Sequence, residues 1–307
     1  QQSSRLMERI GKQLTQHARL VRSVEDCESD IVLFAADTPN SWKPAALLEE
    51  LGVPYDVVFV DIMKNQQSEE AYTKMNPNGR TPTLVDRSTT PPTSVFESGA
   101  ICLYLCEKFG TPLLPTDPAR RSEVVQWLFW QVSALGPIHG QCMYMKRIAA
   151  PLQPDVAPLM FSINRFEKES IRCLSVLERR LEGREWLCGP GGGELSLADL
   201  SCYGYASMHW WTGIDVSGMP NLRGWLERLR GRESIMSAAL VPGVSVFGER
   251  GPTFEDLRTD VGLQRRIEES AAAGGRPFFG WRDIALLLAD RLGATEVPFS
   301  SHTAVSR

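Results

Sequence analysis

The sequence predicts two domains: a small α/β domain with the element order βαβαββα, then an all-α helical bundle. Three observations predict it. Apolar runs at 31–34 and 55–60 flank a helical segment, as in a parallel βαβ unit. Residues 75–108 alternate apolar and polar between turn clusters at 76–79 and 88–92, and then change to helical spacing. Beyond a proline-rich stretch, TPLLPTDP at 111–118, helical periodicity recurs as far as Leu240.

Residues 1–30 carry Leu6, Ile10, Leu14, Ala18 and Val21 near one-turn spacing, with Arg5, Arg9, Lys12, Arg19 and Arg22 making the segment basic. The expectation is a helical extension that docks or frays, its apolar face being thin for a membrane-surface helix. From residue 31 a strand buried on both faces leads into a loop at 35–40 and a helix that ends at Gly52. The second strand is followed by an irregular helix at 66–75 and two short strands. Ser98, Ile101, Leu105 and Phe109 then open and continue a helix. A strand therefore delivers Glu97 and Ser98 to a helix N-terminus, where free N–H groups favour an anionic ligand; an ordinary Ser98 cap with Glu97 in solvent fits the same spacing. This is the thioredoxin-like plan, and its functional loop belongs beyond the carboxyl end of the first strand, at 35–40.

The α/β domain so defined spans 31–110 and the all-α domain 119–245. Within the latter, Gly136 and Pro137 predict a kink or break in the helical pattern at 120–145. A helix is expected over 161–180. Ser196 and Asp199 form a capping box, worth about 1 kcal/mol. Tyr203, Tyr205, Met208, His209, Trp210 and Trp211 are apolar over too wide an arc for a surface helix. Residues 246–307 form an extension in which Phe278, Phe279, Trp281 and an apolar helix at 284–292 are expected to cover the cleft mouth or a second subunit.

At 307 residues, with a net charge of −4 and a pI near 5.7, the chain lacks the basic face of a nucleic-acid binder. No apolar run is long enough to span a bilayer, and no secretory segment follows Gln1, although a chain opening without methionine is consistent with trimming. Seven cysteines at 27, 102, 106, 142, 173, 188 and 202, without CxxC, predict reduced thiols in a cytoplasmic protein and no zinc site.

The run N-P-N-G-R-T-P at 76–82, followed by F-E-S-G-A-I at 96–101, resembles the glutathione-binding half of the glutathione transferase superfamily. The resemblance implies a cis bond before Pro82, a Thr81 backbone contact to the cysteinyl part of glutathione, and Glu97 and Ser98 at its γ-glutamyl end. Thr-Pro-Asn at 38–40 and QWLFWQVSALGPIHGQ at 126–141 resemble the nu class, the group related to the yeast nitrogen regulator. There Thr38 and Asn40 would lie near the glutathione sulfur, with Ser41 one residue beyond. A thiol of pKa about 8.5 needs about 1.4 kcal/mol of thiolate stabilisation for each unit of lowering, which hydroxyl and amide donors can supply. Both residue types also serve ordinary turns. The same resemblance puts Gln67, with Gln66 as fallback, and Arg80 near the glycyl carboxylate. It puts Arg165 across a homodimer interface, although a helix-surface ion pair fits that position equally; Trp130, His139, Met143 and His209 are the candidates for an electrophile pocket, His139 being as ambiguous as His209. His209 reads more readily as a satisfied interior histidine than as a base, because no partner carboxylate lies near in sequence.

The implied activity is conjugation of glutathione, as co-substrate and without a metal, to an apolar electrophile, for instance in fungal secondary metabolism. Glutathione-dependent disulfide reduction, glutathione-dependent isomerisation and non-catalytic binding stay open beside it.

Overall fold

The computed structural model describes residues 13–242. Five strands there form one sheet: β1 (Ala18–Val21), β2 (Ile31–Ala35), β3 (Tyr55–Phe59), β4 (Thr83–Asp86) and β5 (Thr93–Phe96), in the order β1-β3-β2-β4-β5. β3 runs parallel to both β1 and β2, while β4 and β5 return antiparallel. The expected thioredoxin-like plan is met, with one strand added at the edge.

That strand corrects the expected helical extension. Ala18, Leu20 and Val21 are almost completely buried, and Ala18 pairs with Tyr55 through to Val21 with Val58. Apolar residues spaced for one helix face also suit a four-residue strand buried on both sides, and β3 has a free edge to satisfy. Arg19 reinforces the pairing by donating from Nε to Asp56 Oδ1 at 2.8 Å. Residues 1–12 and the extension at 246–307 lie outside the described residues.

Helices α1 (Pro39–Leu51), α2 (Glu70–Thr73) and α3 (Ser98–Phe109) complete the α/β domain. Gly52 closes α1 in the left-handed conformation, as its sequence position predicts. The sheet's two faces alternate along each strand. Leu20, Ile31, Leu33, Val57 and Leu84 pack with α1 and α3, and Val32, Phe34, Val58 and Val85 pack with Tyr72. The buried carboxylate of Asp86 ties α3 to β4. Burial opposes its charge, but bonds from Lys108, Tyr104 and Ser88 outweigh that and hold it below the ordinary carboxylate range.

The all-α domain comprises α4 (Pro118–Trp130), α5 (Gly136–Tyr144), α6 (Met160–Arg180), α7 (Leu197–Ala206), α8 (His209–Thr212), α9 (Pro220–Arg230) and α10 (Glu233–Ala238). α4 passes into α5 through a π-helical turn, Gln131–Leu135. The helix therefore continues past Pro137: the wider turn absorbs the misfit of the missing N–H, where a kink or break was expected. The apolar cluster on the α1 side of the sheet extends without interruption into this domain, so the two domains share one core. Among the described residues no helix is long and apolar enough to cross a membrane.

Asp199 does more than cap α7. Its Oδ2 accepts from the Ser196 N–H at 3.0 Å and the Ser196 hydroxyl at 2.9 Å. Its Oδ1 accepts from the Leu187 N–H at 2.9 Å and from Trp225 Nε1 at 2.8 Å. Removing it strands buried donors on three elements, each costing about 1–3 kcal/mol. Asp199→Ala is expected to lose at least about 3 kcal/mol, several times the capping figure, and to lower Tm by roughly 6–12 °C in a thermal melt. A loss near 1 kcal/mol would show that the box acts only as a cap.

Candidate functional site

The sheet register collects one end of three strands. Phe34 faces Thr83 across β2 and β4, and Thr83 faces Phe96 across β4 and β5. The segment after β2, the turn before β4 and the start of α3 therefore meet at a single edge. The Thr81–Pro82 bond is cis, as the resemblance implied.

The turn before β4 is clamped from inside. Asn76, 1% exposed, donates from Nδ2 to the Arg80 carbonyl at 2.6 Å and to Thr83 Oγ1 at 2.9 Å. Tyr72 donates its hydroxyl to the same carbonyl at 2.9 Å. Thr81 and Pro82 are thus presented by buried polar bonds, and the Arg80 side chain projects into solvent. Asn76 is a residue whose role sequence reasoning missed; an asparagine opening a turn looks the same whether its side chain faces in or out.

Glu97 occupies the N-cap position of α3 with φ of 69°, in the left-handed region that non-glycine residues seldom adopt. Its side chain is exposed and accepts from Asn78 Nδ2 at 3.1 Å, while Ser98 is buried at the first helical position. No side chain caps α3. The capping reading of Ser98 is therefore not what the structure shows. The strained backbone aims a carboxylate and a run of N–H groups at the same edge.

On the other side, Thr38 and Asn40 are both half-buried at the start of α1. Thr38 is the N-cap and accepts from the Ser41 N–H at 3.4 Å. Pro44, inside α1, offers no N–H to the carbonyl four residues back, that of Asn40. Ser41 is turned inward. It has no exposed surface, and its hydroxyl accepts from the Ala36 N–H at 3.3 Å. Ser41 thus lies beneath Thr38, its hydroxyl 3.3 Å from Thr38 Oγ1, and not at the accessible edge.

Gln66 and Gln67 are separated by their partners. Gln66 Oε1 accepts from the Asp61 N–H at 2.8 Å and so belongs to the backbone turn. Gln67 donates to Asn65 Oδ1 at 3.0 Å and retains an unpartnered buried Oε1. Its backbone carbonyl lies against Gly79, where an added Cβ would approach to 3.2 Å. Arg165 stands on the exposed face of α6, one turn beyond the exposed Phe161, and makes no ion pair among the described residues.

The α-domain wall comes from the π turn. Val132 Cγ1 would meet a Cβ on Gly99 at 3.1 Å, so this turn presses on the first turn of α3. Trp130 is half-buried beside it and packs edge-to-face on Trp127 at 5.2 Å. Two other pocket expectations are corrected. His139 has no exposed surface and Met143 is 9% exposed, both in the packed interior, because they lie on the α5 face turned to the core. His209 is half-buried, with Nδ1 at 3.2 Å from the Ile214 carbonyl, and burial lowers its pKa.

At this edge sit an accessible hydroxyl and amide, a carboxylate beside uncapped N–H groups, and a glutamine amide. Such a set suits a zwitterionic peptide with a free thiol. Residues 29–107 match the family description "Glutathione S-transferase, N-terminal domain", and 165–233 match its C-terminal domain. The disulfide-bond oxidoreductase YfcG of Escherichia coli is 37% identical over 213 residues, 68% of this chain and 94% of its own length. A glutathione transferase from Pseudomonas putida, solved with one glutathione disulfide bound per subunit, superposes with a TM-score of 0.63 at 30% identity, covering 70% of this chain and 93% of that one. The glutathione transferase URE2P8 from Phanerochaete chrysosporium, with oxidized glutathione, gives 0.62 at 29% identity, covering 69% and 94%.

Burial pushes the His139 imidazole down to about 4. A depressed folded pKa contributes stability above the unfolded value near 6.5, and that stability is lost as pH falls towards 4. Acidification from pH 7.5 to 5 is expected to cost about 2 kcal/mol through this group alone. Denaturant titrations of wild type and His139→Leu at both pH values check it; an equal acid loss in the two would place the sensitivity elsewhere.

Proposed function

The chain belongs to the glutathione S-transferase family, in its Ure2p-like group, and from that premise we propose that it binds glutathione at the sheet edge and uses the thiolate to reduce small disulfides. Glu97, Ser98 and the N-terminus of α3 hold the γ-glutamyl end, the Thr81 backbone pairs with the cysteinyl part, and Gln67 with Arg80 reaches the glycyl carboxylate. Thr38 and Asn40 donate to the sulfur and favour its ionised form.

The observation that carries this reading is the state of the protein's own sulfur. All seven cysteines are buried and free, and where burial acts on them it raises their pKa values. A buried, protonated thiol is neither accessible nor nucleophilic. Glutathione must therefore supply both electrons and both thiols. One glutathione thiolate attacks a disulfide sulfur, forming a mixed disulfide and expelling one thiolate. A second glutathione thiolate then attacks the mixed disulfide at its glutathione sulfur, releasing glutathione disulfide and the remaining thiolate. The relative named as a disulfide-bond oxidoreductase and the neighbours solved with glutathione disulfide support the same chemistry.

Conjugation to an apolar electrophile is the second reading, favoured by the aromatic Trp127–Trp130 pair beside the π turn. The two differ in product. With glutathione and either a small hydroxyalkyl disulfide or an aryl halide, the expected outcome is faster glutathione disulfide formation from the first; thioether formation alone would reverse the order. Glu97→Gln is expected to weaken glutathione binding about tenfold, the low end for a charged hydrogen bond at an exposed site. Unchanged affinity in a calorimetric titration would remove Glu97 from the site. Asn40→Ala is expected to lower turnover more than affinity and to move the bound thiol's ionisation midpoint upward, read from thiolate absorbance against pH.

A further inference from the structure

Beneath the Thr38 to Asn40 turn, the two domains meet through a group that the chemistry above leaves unused. Lys43, one helical turn beyond Asn40, is 2% exposed. Its Nζ donates to Gln131 Oε1 at 2.8 Å and lies 5.9 Å from the centre of the Tyr205 ring. No carboxylate makes an ion pair with it among the described residues. A lysine buried on a neutral amide and an aromatic face is costly unless an opposite charge lies near.

The surroundings are built to hold this arrangement. Gln131 has no exposed surface, and its Nε2 would sit 2.8 Å from a Cβ on Gly136. A Cβ added to Gly136 or Gly140 would stand 3.4 or 3.5 Å from the Tyr205 ring, so two glycines of α5 make its slot. Gly204, the neighbour of Tyr205, lets α7 come so close to α1 that an added Cβ would stand 3.0 Å from the Pro39 carbonyl. The hydroxyl of Tyr205 lies close enough to the Asn40 side chain to be influenced by it. A chain of contacts thus runs from Gln131 through Lys43 and Tyr205 to Asn40, and Asn40 is the residue assigned to the sulfur.

We propose that Lys43 is a positioning residue for the sulfur site, seating Tyr205 against Asn40 and supplying from below the positive charge that a glutathione thiolate there lacks. The proposal rests on the placement of the glutathione sulfur at Thr38 and Asn40. The thiolate is in turn the counter-charge that the buried ammonium is missing. Burial pushes Lys43 down to about 8; Cys102 of α3 and Cys202 of α7 face it as neutral thiols, and the charge opposing the shift is Glu97 at the start of α3. Tyr205 of α7, itself pushed up to about 12 by burial, stays neutral, as does Gln131 of the π turn. Lys43 is therefore cationic at neutral pH and loses its charge near pH 8 in the free protein. By linkage, a charge that favours the thiolate is itself favoured by it.

The test uses the full chain and glutathione, with thiolate absorbance followed against pH. In Lys43→Met the midpoint of the bound thiol is expected to rise by about half a unit to one unit, with affinity at pH 6 within about twofold of wild type. Lys43→Arg is expected to restore part of the shift. Tyr205→Phe keeps the ring and its volume but removes the hydroxyl beside Asn40, and its midpoint is expected to rise as well. An unchanged midpoint in folded Lys43→Met overturns the charge role, as does a Lys43→Arg shift equal to that of Lys43→Met. If Lys43→Met does not fold, an unchanged midpoint in Tyr205→Phe overturns the positioning role. Wild-type protein that binds no glutathione in calorimetry overturns the function itself; binding with a depressed midpoint that no variant moves overturns this proposal alone.

Discussion

Helix α1 is enclosed on all sides, and the rest of the structure depends on that enclosure. From Pro39 to Glu49 nearly every residue is buried, including Ser41, Lys43 and Glu49. One side packs on the sheet through Ala45, Leu47 and Leu48, and the other meets α7, the π turn and α10. Polar contacts fasten both ends. Lys43 reaches Gln131 near the start, and Glu50 accepts from Arg232 and Ser234 near the end. A helix held in this way cannot tilt without disturbing a shared core, so the turn at its N-terminus is fixed relative to both domains. That rigidity suits a site whose donors must meet a sulfur that the protein does not itself carry.

Buried polar groups set most of this geometry. Asp199 collects donors from the loop before α7, from its own cap and from α9, and the all-α domain is organised about those bonds. Asn76 and Tyr72 do the same for the turn that carries Thr81 and Pro82. Arg147 lies over the Trp211 ring at 5.4 Å and donates to the Trp211 carbonyl, without a carboxylate partner among the described residues. Each such group is costly to bury and costlier to leave unmatched, so each specifies one arrangement of the elements around it.

The thiol chemistry follows from the same division between inside and outside. Burial keeps the protein's cysteines protonated and out of reach, whereas Thr38 and Asn40 are left half-exposed at the edge. A reactive sulfur can therefore arrive only with a ligand. On the reading proposed above, the fold contributes a polar socket and a buried cation, and glutathione contributes the nucleophile.

Local sequence determined the βαβαββα order, the Gly52 stop of α1, the capping box at Ser196 and the pairing of Glu97 with Ser98 at a helix start. Each of these is a short-range pattern of turn residues and periodicity, physically settled within a few residues. The structure decided the rest, because the same pattern admits two burial states until a neighbour arrives. Ala18 to Val21 suit a helix or a strand, and the free edge of β3 made them a strand. His139 and Met143 share a helix with Trp130, and only the packing of α5 against the core turned them inward. Gln66 and Gln67 are adjacent and alike, and the Asp61 N–H separated them. Lys43 reads as an ordinary helix-surface lysine. Its burial comes from Gln131, 88 positions away, and from Tyr205 in the slot made by Gly136 and Gly140, contacts that exist only when the two domains close on each other.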